Sequence, residues 1–291
     1  MSAGVSEPGD FLARMATASH RRLDSAISGR SEKALREQIA QLPPAPAPRF
    51  TGGTFHLIAE VKRRSPSRGQ LAGPLSDKAL APAEQARRYA AGGAIVVSVL
   101  TEPDEFAGDL AHVAEIVQAL PGLPVMRKDF LVGTYQILEA REAGAAGVLV
   151  IVAMLEPEQI QAMIDCALEL GMFVLVEVFD RADLDRCVPA LLAAAATADC
   201  RGRVLLGVNC RDLRTLQVEP GRFAELAPFL PREVPWVAES GIETPARAAE
   251  VARLGYSLAL VGTALMQSGD PAAAAQALLQ AGRGALSRDC G

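Results

Sequence analysis

The sequence predicts a (β/α)8 barrel with an N-terminal helical extension, and three observations lead there. From residue 55 onward, short runs rich in Val, Ile and Leu alternate with longer Ala/Leu/Glu/Arg segments of helical period. Near-continuous apolar strands joined by helices mark a parallel sheet covered on both faces. Eight such units in about 240 residues match the size of this barrel. The competing arrangement, a doubly wound sheet, would carry a Gly-rich loop after its first strand, and "KRRSPSRG" (62–69) is not one.

The elements follow in order. Residues 9–41 space Leu12, Met15, Leu23, Ile27, Leu35 and Ile39 helically among many charges. "PPAPAP" (43–48) cannot be helical and forms a stiff connector. The expected strands are 55–62 "FHLIAEVK", 94–99 "AIVVSV", 124–128 "PVMRK" and 146–152 "AGVLVIV". Four more are 172–178 "MFVLVEV", 204–209 "VLLGVN", 234–239 "VPWVAE" and 258–262 "LALVG". Helices are expected at 83–91, 134–143, 157–170 and 245–254, among others. This divides the chain into an extension and connector, 1–50, and a barrel, 51–291.

Composition narrows the function. The 291 residues are half hydrophobic with a formal net charge of −5, so the basic face that nucleic acid requires is not expected. No run reaches the roughly 18 apolar residues of a membrane span, and Glu7 and Asp10 precede any apolar run, unlike a secretory signal. The cysteines at 166, 187, 200, 210 and 290 form no C-x-x-C pair, as in a cytoplasmic protein with reduced thiols. Three scattered histidines give no metal cluster.

Barrels of this kind place function at the C-terminal ends of their strands. There the sequence sets Glu60 and Lys62, Lys128, Glu177, Asn209 and Arg211, then Glu239 and Ser240. Residues i and i+2 of a strand share a face, so Glu60 and Lys62 project with Ile58. One polar strand end is ordinary; polar groups recurring at the same end of at least five strands predict a charged pocket, because unpaired ions there are costly. "ESGI" (239–242) and "VGTALM" (261–266) end the seventh and eighth strands, where small residues at the start of the next helix favour an anion. Phe106 and Phe130 supply a flat apolar wall at the same end.

These segments together resemble indole-3-glycerol-phosphate synthase. The matching stretches are "IAEVKRRSPSRG", "SVLTEPDEFAGDL", "VMRKDFLVGTYQILEAREAGAAGVLVI", "LVEV", "LGVNCRDL", "AESGI" and "LVGTALM", in order between residues 57 and 266. The resemblance implies a carboxy-lyase that closes 1-(2-carboxyphenylamino)-1-deoxyribulose 5-phosphate to indole-3-glycerol phosphate, losing carbon dioxide and water. It implies Lys128 as the acid at the ketone oxygen, Lys62 as holder of the substrate anion, and Glu177 and Glu60 as the carboxylates that take a ring proton and support loss of hydroxide. Asn209 and Arg211 match its polar pair on the sixth strand. Ser240, Gly241, Gly262 and Thr263 match its phosphate cradle. Phe106, Phe130 and Leu149 match its aromatic pocket, and Ser65 a polar contact on the first loop. No metal or cofactor is implied. The partners implied are a phosphorylated small molecule and other tryptophan-pathway enzymes. The chain departs from the pattern at Cys210, where relatives often carry Asn or Ser, and most of all in its first 50 residues. A paralogue acting on another aminosugar phosphate, or releasing indole, would keep the acid–base set; a non-catalytic binding barrel would lose Lys128 or Glu177.

Overall fold

The computed structural model describes residues 11–48, 50, 53–65, 69–70, 80–197 and 202–286, with backbone alone at 65, 69 and 70. Eight parallel strands close a barrel: β1 (His56–Val61), β2 (Val96–Leu100), β3 (Val125–Lys128), β4 (Gly147–Ile151), β5 (Phe173–Val178), β6 (Val204–Asn209), β7 (Trp236–Glu239) and β8 (Leu258–Val261). Each pairs with its sequence neighbour, and β1 closes the circle against β8 (Ala59 beside Val261). All eight strands fall within a few residues of the positions expected from periodicity, because each is apolar on both faces and has only one way to be covered.

Alternation sorts the side chains into two cores. Ile58, Met126, Leu149, Leu175, Leu205, Val237 and Leu260 fill the barrel interior. Leu57, Ala59, Val97, Val125, Val148, Val174 and Val208 face the surrounding helices. At the N-terminal end the interior is plugged by Phe173, whose ring lies 6.2 Å from that of Phe50. Gly147 stands beside Phe173 across β4 and β5, and any Cβ there would overlap the ring. Among the described residues no helix is long and apolar enough to cross a membrane.

Within the helical extension anticipated over 9–41, the described residues form two helices, α1 (Phe11–Gly29) and α2 (Glu32–Ile39). Gly29 weakens the helix, and Ser31 starts the next by accepting a hydrogen bond from the Ala34 amide, 3.3 Å away. Ile27, counted among the apolar positions, is 49 % exposed; α1 instead buries Phe11, Leu12, Met15, Ala18 and Ser19 against the barrel mouth. The first loop contains a short antiparallel pair, Arg64–Ser65 with Gly69–Gln70.

Candidate active site

The C-terminal mouth holds one cavity in which most of the sequence-predicted residues meet. Glu60, Lys62, Phe106, Lys128, Phe130, Leu149, Asn209, Arg211, Ser240, Gly241, Gly262 and Thr263 all line it. Glu177 does not line it: this side chain is fully buried behind Lys128 and reaches the cavity through that ammonium. The side chain of Ser65 lies outside the described residues.

Two clusters of charge occupy the mouth. On β1, Glu60 projects inward with Ile58, and Lys62 folds back to bring its Nζ 2.6 Å from Glu60 Oε1. Burial alone would raise the Glu60 carboxyl, but Lys62 and Lys128 outweigh it and hold the group below the usual carboxylate range. On β3, Lys128 donates to Glu177 Oε2 at 3.2 Å and to Glu239 Oε2 at 3.3 Å. Burial disfavours its charge, yet Glu177, Glu239 and Glu60 more than compensate, so the ammonium is held above the ordinary lysine range. Glu239 moves the other way: burial and the facing Glu177 push its carboxyl well above the usual range, and Lys128 offsets this only in part. One oxygen each of Glu177 and Glu239 meets no hydrogen-bond donor among the described residues.

Glycines make room for these groups. A Cβ at Gly207 on β6 would overlap the Glu239 carboxylate, and one at Gly262 would overlap the carboxylate of Glu60. Gly262 is therefore required by the charge cluster as well as by any anion at the loop. It precedes a short helix, Thr263–Gln267, as expected. The helix after β7 starts at Pro245, as expected, but residues 239–242 lie ahead of it rather than at its start: Ser240 (φ 64°) and Gly241 (φ 67°) form a turn in which both are left-handed. Cys210 braces this turn by donating its thiol to the Ser240 carbonyl at 3.2 Å, and burial pushes that thiol up to about 11. Asn209 Oδ1 accepts from the Arg211 amide at 2.9 Å, and Arg211 in turn donates to the Leu216 carbonyl at 2.9 Å.

The opposite wall is aromatic. Phe106 and Phe130 lie 6.1 Å apart between ring centroids, with Phe11 of α1 at 6.4 and 6.0 Å from them. Sequence reasoning had placed Glu239 at a strand end without giving it a role, and it assigned nothing to Phe11, Asp129 or Glu243. The last two also line the cavity. The unassigned "D" of "RKDF" was the available signal for Asp129; Phe11 left none, since its partners lie about 100 residues on.

The chain thus combines an apolar wall, a lysine between two buried carboxylates, and a small-residue rim suited to an anion. Comparison with known proteins agrees. The family profile described as indole-3-glycerol phosphate synthase matches residues 25–278. The indole-3-glycerol phosphate synthase of a Nocardioides species is 44% identical over 254 residues, covering 86% of this chain and 91% of the relative. That of Rhodococcus opacus (strain B4) is 42% identical over 273 residues, covering 89% and 95%. Among solved structures, 3-hexulose-6-phosphate synthase from Salmonella typhimurium aligns with a TM-score of 0.55 at 18% identity, over 78% of this chain and 98% of the other, a likeness of fold alone. The chain belongs to the indole-3-glycerol phosphate synthase family.

Proposed function

We propose that this mouth carries out the family's reaction with Lys128 as the acid of ring closure and Glu177 and Glu60 as the assisting carboxylates. The reaction converts 1-(2-carboxyphenylamino)-1-deoxyribulose 5-phosphate to indole-3-glycerol phosphate, with loss of carbon dioxide and water. A ring carbon bonds to the ketone carbon, and the carbonyl electrons move to oxygen. The observation that carries the reading is the Lys128 ammonium, 14% exposed and held by two carboxylates. Held above the ordinary lysine range, it is charged when substrate arrives. An alkoxide is basic enough to take its proton, and the charge stabilises that oxygen in surroundings drier than water. The carbon–carboxylate bond then breaks, and its electrons restore the aromatic ring. Loss of the hydroxyl as water needs a proton delivered to it and another removed from the forming ring. Glu177, adjacent to Lys128, is suited to the removal, and Glu60 with Lys62 to the departure.

In this reading Phe106, Phe130 and Leu149 hold the aromatic ring, and Asn209 and Arg211 meet the substrate's polar groups. Ser65 contributes from the first loop. Ser240, Gly241, Gly262 and Thr263 take the phosphate. Residues 1–50 form the extension and 51–291 the catalytic barrel. We place the protein in the cytoplasm, with no nucleic-acid or membrane partner and with other tryptophan-pathway enzymes as its neighbours. Purified protein given the carboxyphenylamino-deoxyribulose phosphate should generate indole fluorescence. No signal, with substrate bound, would leave a binding barrel instead.

A further inference from the structure

Asp129 sits between the proposed acid Lys128 and the proposed wall residue Phe130, and the chemistry above leaves it without a task. Its carboxylate is 2% exposed and meets four donors. Oδ1 accepts from the Phe130 amide and from Arg22 Nη2, each at 2.8 Å. Oδ2 accepts from Thr101 Oγ1 at 2.8 Å and from Arg127 Nη2 at 3.1 Å. A second carboxylate, Glu102, is fully buried nearby and caps the turn Pro103–Phe106 by accepting from the amides of Asp104, Glu105 and Phe106 at 2.9, 2.7 and 3.1 Å. Each carboxylate fixes the backbone of one aromatic wall residue, and the Arg22 guanidinium spans both, reaching Glu102 at 3.5 Å.

Arg22 belongs to α1. Eleven residues earlier on that helix, about three turns and so on the same face, Phe11 completes a three-ring cluster with Phe106 and Phe130. A second tie runs from Ser19 Oγ, which accepts from Gln136 Nε2 at 2.9 Å, while Gln136 Oε1 holds the Val132 amide at 2.8 Å. An arginine fork suits this bridge because its planar donors can serve two carboxylates at once. Two further ion pairs tie this segment to the barrel: Arg14 of α1 with Glu105 at 3.4 Å, and Arg30, just past the end of the helix, with Glu142 at 2.7 Å.

We infer that Arg22 is a positioning residue for ring closure: by clamping Glu102 to Asp129 it sets the spacing of the Phe106 and Phe130 walls and makes α1 part of the aromatic pocket. This rests on the proposed role of those walls, so the test separates the two. In the full-length enzyme, Arg22→Met, Arg22→Lys, Arg30→Met and Phe130→Ala are compared. The readouts are the single-turnover rate of ring closure and inhibition by anthranilate and by inorganic phosphate, which probe opposite ends of the cavity. Arg22→Met should slow ring closure about tenfold or more, because misplacement of a reacting ring is heavily penalised. It should weaken anthranilate and leave phosphate unchanged. Arg22→Lys, which keeps the charge without the fork, should fall between; it decides the matter if the Met variant does not fold. Arg30→Met should lower the melting temperature and move neither inhibitor. Normal ring closure and normal anthranilate inhibition in the Arg22 variants would overturn the clamp, as would equal weakening of both inhibitors. If Phe130→Ala also leaves anthranilate unchanged, the pocket assignment itself is wrong.

Discussion

The two ends of the barrel interior are built from the same eight strands and obey opposite rules. At the floor, Phe173 packs on Phe50 and fills the space that Gly147 leaves, with Leu205 and Leu258 in the same buried cluster. These apolar side chains gain from being dry. At the mouth, Glu60, Lys62, Lys128, Glu177 and Glu239 crowd together, and two buried carboxylate oxygens meet no donor among the described residues. Buried ion pairs return little more than their desolvation cost, so the floor supplies stability that the mouth draws on. Substitutions at the mouth should change chemistry most; those at the floor should change stability and leave chemistry alone.

The largest effect expected is at Lys128. Lys128→Met keeps the apolar stem and removes the proton and charge, and kcat should fall about 10²–10⁴-fold, with substrate affinity changed much less. Single-turnover ring closure at the normal rate would place the acid elsewhere. Arg127 is a poor control, because it shares the Asp129 carboxylate. A floor residue is the cleaner one. Phe173→Ala should cost about 3–5 kcal/mol of stability, as deletion of a buried aromatic ring does, and leave kcat intact below its lowered melting temperature. A large kcat loss in folded Phe173→Ala would break the division between the two ends.

Glycines at the mouth sharpen it. Gly262→Ala drives a Cβ into the Glu60 carboxylate, so kcat should fall along with a rise in KM. Gly241→Ala meets the Cys210 sulfur at 3.0 Å and Val218 Cγ1 at 3.6 Å, no carboxylate, and must hold φ at 67°. Left-handed backbone costs an alanine about 1–2 kcal/mol, so KM should rise with kcat nearly preserved. The same response from both variants would contradict the additional duty given to Gly262, which leaves room for the Glu60 carboxylate.

The smallest effect is in the pH dependence of stability. The folded pKa of Glu239 is raised above its ordinary 4.5, so between that value and the folded pKa the native state retains a proton that the unfolded chain releases. Stability from this group is therefore lost as pH rises through that window, by at most about 1.4 kcal/mol per pH unit. Glu60 has the opposite sign: its carboxyl is lowered, and its contribution, present above 4.5, is lost as pH falls through its folded pKa. Glu239→Gln stays neutral throughout. Its melting curve should match the wild type near pH 4.5 and lie above it at higher pH; parallel curves across the range would mean that Glu239 is ionised in the folded protein.

By itself the sequence determined the barrel, its eight strands and the end at which polar residues gather. Strand and helix periods are local properties, written in a few successive residues, and an apolar strand among helices has few ways to be covered. The pairing of Glu60 with Lys62 was legible for the same reason, since two residues on one strand share a face. The structure alone decided which carboxylates hold Lys128, because Glu177 and Glu239 are 49 and 111 residues from it and meet only when the circle of strands closes. It also decided that Gly207 and Gly262 make room for carboxylates, and that Arg22, 107 residues from Asp129, reaches across to it. Such contacts depend on closure, tilt and the absence of a Cβ on a neighbouring strand, which no local pattern in the chain records.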